Sequence, residues 1–103
     1  MLLIREGGVL TAVLSGELDE HSAASVRREI DSALDGGGTE RLVFDLGGVT
    51  FMDSAGIGVL LGRYRKTAAA GGSMGIINAR GGVDRLLRMS GVYTLCDKRR
   101  DER

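Results

Sequence analysis

Proline and tryptophan are absent from the sequence, cysteine occurs once, and two phenylalanines and two tyrosines are its only aromatic residues. The single Cys96 excludes an internal disulfide framework and any C-x-x-C redox or zinc site, and places the chain in a reducing, cytoplasmic compartment. Charge of one sign is missing as well: 14 basic and 14 acidic residues cancel. With so few aromatics for stacking, neither the basic footprint nor the stacking platform of a nucleic-acid binder is present, so no direct nucleic-acid partner is expected. No basic leader precedes an apolar core, and no run approaches the roughly eighteen apolar residues of a membrane span, so a soluble chain without a signal peptide or membrane partner is expected. The terminal Lys98 to Arg103, KRRDER, mixes both signs at a chain end and reads as a solvated tail.

Glycine, by contrast, is abundant, with 17 among 103 residues, and falls at turns and helix ends instead of in a repeat. The length suits one domain, residues 1–103, able to bury roughly two thirds of its unfolded surface in a single core. Leu2 to Arg5 and Val9 to Leu14 are β-prone runs joined by Gly7-Gly8, the signature of a tight hairpin. Ser15 to Asp19 reads as a loop. Ser22 is placed to cap a helix whose apolar positions Ala23, Val26, Ile30, Ala33 and Leu34 recur at helical spacing, until Gly36 to Gly38 end it. Leu42 to Leu46 has the composition of a central strand buried on both faces.

A second helix runs from Gly56 to Gly71-Gly72, with Ile57, Leu60, Leu61, Tyr64 and Ala68 on its apolar stripe and Arg63, Arg65 and Lys66 toward solvent. Met74 to Asn78 is the next strand, Val83 to Met89 a short helix with Leu86 and Leu87 inward and Gly91 just past its end, and Val92 to Cys96 a last strand. The order β-β-α-β-α-β-α-β makes each later crossover helical, so the strands after the hairpin run parallel. The expected fold is α/β: an open mixed sheet, an N-terminal hairpin plus parallel strands, with helices mainly on one side.

The chain is organised around Leu42 to Gly62, where an apolar strand turns into a helix whose mouth carries Asp53, Ser54 and Gly56. Met52 stands where the nucleophile elbow G-x-S-x-G needs its first glycine, and the lone His21 lies beside Asp19 and Glu20, where a surface or capping role suffices for it. A small serine hydrolase is therefore poorly supported. Gly56, Gly58 and Gly62 space as G-x-G-x-x-x-G, which departs from a dinucleotide fingerprint; three glycines in seven helical residues cost about 1 kcal/mol each and suggest close approach by the sheet or by a partner. Asp53 and Ser54 can serve as N-caps. The same geometry would tolerate a phosphate on Ser54, since a helix N-terminus favours negative charge.

Gly16-Glu17-Leu18-Asp19, Phe51 to Tyr64 (FMDSAGIGVLLGRY), Arg85-Leu86 and Met89-Ser90-Gly91 together resemble, in register over nearly the whole chain, the bacterial anti-sigma factor antagonists of sporulation and stress signalling, which are STAS-domain proteins. The resemblance implies a cytoplasmic regulatory binding module without catalysis or cofactor. It implies an unphosphorylated form that binds an anti-sigma factor with serine kinase activity and so releases a sigma factor, phosphorylation of Ser54 as the off-switch, and a serine phosphatase that restores binding. The implied partner-binding residues are Asp19, Asp53, Ser54, Ala55, Gly56, Ile57 and Gly58. Ala55 stands where many relatives carry a second hydroxyl, leaving Ser54 as the one acceptor in the motif, and the C-terminal helix common in relatives is shortened or absent. A second reading is a structural STAS scaffold in a signalling assembly that is never phosphorylated.

Overall fold

The computed structural model describes residues 1–99. Strand β1 (Leu2–Glu6) turns through Gly7-Gly8 into β2 (Val9–Leu18); helix α1 (Ala23–Asp35) leads to β3 (Arg41–Met52), α2 (Ser54–Ala69) to β4 (Ser73–Ile77), and α3 (Gly81–Ser90) with a 3-10 turn (Val92–Thr94) to β5 (Asp97–Arg99). The five strands lie in the sheet in chain order, β1-β2-β3-β4-β5, with β1 antiparallel to β2 and every later pair parallel, so β3 is central as expected.

This order determines where the core lies. Each parallel crossover steps to the next strand in the same direction, and a right-handed crossover made repeatedly in one direction puts every helix on the same face. Alternate residues of the strands accordingly point into one core: Leu10, Ala12 and Leu14 of β2, Leu42, Phe44 and Leu46 of β3, and Met74 and Ile76 of β4 pack with Ile30, Leu60, Val83 and Leu87 from the helices. Among the described residues, the opposite face carries no helix. Thr11, Val13, Val43 and Ile77 are half-buried there, and Leu2, Ile4 and Val9 are exposed. The expectation that β3 is buried on both faces is thus corrected: its Leu42-to-Leu46 run alternates buried and half-buried.

Three further expectations change. Ser15 to Leu18 is strand instead of loop, because β3 runs on past Leu46 to Met52 and supplies its partner. The segment Val92 to Cys96 is not a strand: after left-handed Gly91 (φ +84°), the Thr94, Leu95 and Cys96 N–H groups bond back to Gly91 and Val92 carbonyls, so the chain coils tightly and buries Val92 and Cys96 four residues apart. Pairing with β4 begins only at Asp97, so Lys98 and Arg99, read as tail, belong to β5; residues 100–103 lie outside the described residues.

The inward side of α2 is also rotated by one position, to Gly56, Val59, Leu60, Arg63 and Thr67. A stripe drawn through apolar residues overlooks that glycine and two polar side chains. Arg63, only 8% exposed, reaches Asp31 of α1 through Nε at 2.8 Å, and Lys66 meets Asp35 at 2.6 Å. Burial pulls the Arg63 pKa down while the Asp31 carboxylate opposes that shift. These two pairs tie α2 to α1.

Candidate functional site

The site is assembled at the C-terminal ends of β2 and β3, where open α/β sheets commonly place their functional groups. Leu18 pairs with Met52 across the parallel ladder, and the Asp53 N–H reaches the Leu18 carbonyl at 3.4 Å, so Asp19 and Asp53 leave neighbouring strands side by side. Each then opens a helix. The Asp53 carboxylate accepts from the Ala55 and Gly56 N–H groups at 2.9 and 3.3 Å, satisfying donors that have no partner within the first turn of α2.

Asp19 uses the same spacing, accepting from the His21 and Ser22 N–H groups at 2.9 and 3.2 Å. Burial raises the Asp19 pKa, but those N–H groups, the His21 ring and the Ser22 hydroxyl together hold it below the ordinary carboxylate value. The expected Ser22 cap is corrected here: no side-chain capping bond is made to α1, because the Ser22 hydroxyl accepts from the Asp19 N–H at 3.1 Å and donates to the Glu17 carbonyl at 2.8 Å.

Ser54 is the first residue of α2 and is exposed, and its hydroxyl takes part in none of the hydrogen bonds among the described residues. Asp53 alone therefore supplies the side-chain cap. Gly56 is buried for a specific reason: a Cβ there would stand 2.5 Å from Met52 Cγ and 2.6 Å from the Leu18 carbonyl oxygen, so the helix begins in direct contact with the end of β2. Gly58 and Gly62 show no such crowding, with nothing within 4 Å of an added Cβ. Close approach by the sheet thus accounts for one of the three glycines. Gly58 is exposed, while Ala55 and Ile57 are half-buried on either side of Gly56. The seven residues singled out from the sequence therefore lie at one end of the sheet, Asp19 from β2 and the other six from the entrance of α2. His21 flanks this group beside Asp19, its ring 86% exposed and its Nδ1 3.9 Å from the Asp19 carboxylate.

Sequence reasoning missed how β3 reaches the site. Val13 pairs with Asp45 but Ser15 with Gly48, and Gly16 pairs with Val49 but Glu17 with Phe51, so β3 carries two extra residues over this stretch. Such bulges bend a strand and redirect side chains. The first is braced: the Asp45 carboxylate accepts from the Gly47 N–H at 3.0 Å and from Asn78 Nδ2 at 3.3 Å, and Arg80 donates to the Gly47 carbonyl at 2.6 Å. Gly47-Gly48 inside an apolar run was the available signal. Among the described residues, no group of three or more His, Cys, Asp or Glu is arranged to hold a metal, and no helix is long and apolar enough to cross a membrane.

A sheet in chain order with all helices on one face, and a serine at the helix entrance after the central strand, define a STAS domain. The STAS domain family model matches residues 2–100, and the chain belongs to that family. Among proteins of known role it is 43% identical over 88 residues to the anti-sigma F factor antagonist of Paenibacillus polymyxa, a match spanning 85% of this chain and 75% of that one. Among solved structures it resembles the anti-sigma factor antagonist SpoIIAA in its unphosphorylated form (26% identity, TM-score 0.76, 99% of this chain and 88% of that one). It also resembles the Bacillus cell fate determinant SpoIIAA in its phosphorylated form (26% identity, TM-score 0.76, 94% and 88%).

Proposed function

We propose that this protein is an anti-sigma factor antagonist that works by partner switching. Its unphosphorylated form binds an anti-sigma factor with serine kinase activity and releases a sigma factor. Phosphorylation of Ser54 ends that binding, and a serine phosphatase restores it. The observation that carries the reading is the Ser54 hydroxyl itself, exposed and without a hydrogen-bond partner among the described residues, on a helix entrance already capped by Asp53. A hydroxyl with no structural duty can be modified without dismantling the fold.

The energetics separate binding from stability. A phosphate adds roughly −1.5 to −2 charges at neutral pH. It meets the favourable end of the α2 dipole, an interaction on the order of 0.3–1 kcal/mol, but finds Asp53 already bonded to the Ala55 and Gly56 amides, so attraction and repulsion nearly offset. Fold stability changes little. A partner closing over Ser54 must instead desolvate that dianion, at a cost of several kcal/mol or a hundredfold or more in affinity. Asp19, Asp53, Ala55, Gly56, Ile57 and Gly58 form the surrounding docking face.

The test has two arms. A pull-down from native cytosol with unmodified protein is expected to recover an ATP-binding, kinase-like anti-sigma factor. Incubation with that factor and ATP, followed by mass spectrometry, is expected to place one phosphate on Ser54 and to abolish binding, while Ser54→Ala stays bound. A phosphate elsewhere, or a phosphorylated protein that binds as tightly as the unmodified one, would sink the switch.

A further inference from the structure

The two phenylalanines of this chain have opposite surroundings. Phe44 is fully buried in the core, whereas Phe51 is 50% exposed, three residues before Ser54. Both lie on β3, Phe44 on its inward and Phe51 on its outward side. Its inward residues are Leu46, Val49 and Met52, three apart, where an unbroken strand would bring in every second residue. The two bulges together restore the original alternation: Val49 is brought inward and Thr50 turned outward, while Phe51 keeps the outward facing and Met52 the inward one that the Leu42-Phe44-Leu46 run sets. Beyond Asp45, β3 has also left β4 behind and, among the described residues, pairs with β2 alone.

Exposing a phenylalanine forgoes the burial energy that Phe44 obtains. We propose that Phe51 is the apolar anchor on which the anti-sigma factor closes when it covers Ser54. This rests on the reading of Ser54 as the centre of the docking face. Consecutive Cα atoms are about 3.8 Å apart, so Phe51 and Ser54 are separated by no more than about 11 Å. A partner burying about 800 Å² on this side covers a patch of roughly 16 Å radius, and such a footprint centred on Ser54 includes Phe51. Interface energy concentrates in a few large side chains near the centre; Asp19, Asp53, Ser54, Ala55, Gly56 and Gly58 offer no large apolar group, and Ile57 is half-buried and packed against the core. Phe51 supplies one. The matching surface on the partner is an apolar pocket, with Glu17, exposed and opposite Phe51 in the ladder, at its polar rim.

The experiment titrates the ATP-binding anti-sigma factor recovered by the pull-down with unmodified protein, Phe51→Ala and Phe51→Leu, with thermal unfolding of each. Phe51→Ala is expected to weaken binding tenfold or more and Phe51→Leu to fall between it and wild type, while the melting temperature of each variant stays close to that of the parent. In phosphorylation assays the KM for Phe51→Ala rises by a similar factor and kcat at saturation is retained, because the anchor binds and takes no part in phosphoryl transfer. Unchanged affinity in folded Phe51→Ala, or affinity lost equally in Phe51→Leu and Phe51→Ala, would overturn the anchor while leaving the switch intact. Failure of the unmodified protein to bind any such factor would overturn both.

Discussion

Helices α1 and α2 are entered from neighbouring strand ends through the same device, an aspartate whose carboxylate takes the N–H groups two and three residues ahead. What differs is the serine. At α1 the Ser22 hydroxyl is spent inside the turn, bonded to the Asp19 N–H and the Glu17 carbonyl. At α2 the serine follows its aspartate directly, points to solvent and supports nothing. One entrance is a structural knot and the other a platform, although a capping rule applied to the sequence scores both alike. The second difference is contact: α2 starts hard against β2 through Gly56, so the mount under Ser54 is rigid even though the hydroxyl is idle.

The sharpest way to break this comparison is to disturb that mount. Gly56→Ala forces a methyl to within 2.6 Å of the Leu18 carbonyl, a backbone atom that cannot swing aside. It is expected to cost about 1–3 kcal/mol, whereas Gly58→Ala, which meets nothing, should gain up to about 1 kcal/mol from helix propensity. Denaturant midpoints moving in opposite directions would support the contact; a shift of both in the stabilising direction would refute it. Next in size, Ser22→Ala removes two hydrogen bonds and is expected to destabilise by about 1 kcal/mol, while Ser54→Ala should leave urea unfolding essentially unchanged. Equal losses would erase the distinction between knot and platform.

The smallest effect is acid sensitivity. The Asp19 pKa is depressed in the folded protein, so its contribution is complete above the unfolded value of about 3.9 and is lost as pH falls through the lower folded value. Asp19→Asn keeps an acceptor but does not titrate. Its stability deficit relative to wild type, followed by thermal unfolding against pH, is expected to hold above about pH 4 and to close below it. A deficit that does not change with pH would show that the carboxylate charge is not what secures the α1 entrance.

Most of the element order was legible because each element announces itself locally: Gly7-Gly8 for the hairpin, helical spacing through Ile30, and Gly91 beyond α3. The grouping of Asp53, Ser54 and Gly56 at the mouth of α2 was legible too, as a polar cluster between strand and helix. What stayed hidden depended on partners distant in sequence. The strand at Ser15 to Leu18 exists because β3 extends to meet it, and the true inward side of α2 is set by Gly56 against Leu18 and by Arg63 against Asp31, contacts that no hydrophobic pattern encodes. The inward turn of Val49 required the bulges in β3, signalled in the sequence by Gly47-Gly48 and by the three-residue spacing of Leu46, Val49 and Met52.

That the strands lie side by side in the order in which they are made has a kinetic meaning. Every pairing joins chain neighbours, so no strand must be held open for one arriving from far along the chain, and the loops to be closed are one tight hairpin and three crossovers with one α-helix each. Loop-closure entropy is then kept low for a parallel sheet, whose pairings are otherwise slow to form. A chain emerging N-terminus first can add each strand to the existing edge as it appears. The α2 entrance with Ser54 can therefore be seated on β2 before α3 has been synthesised.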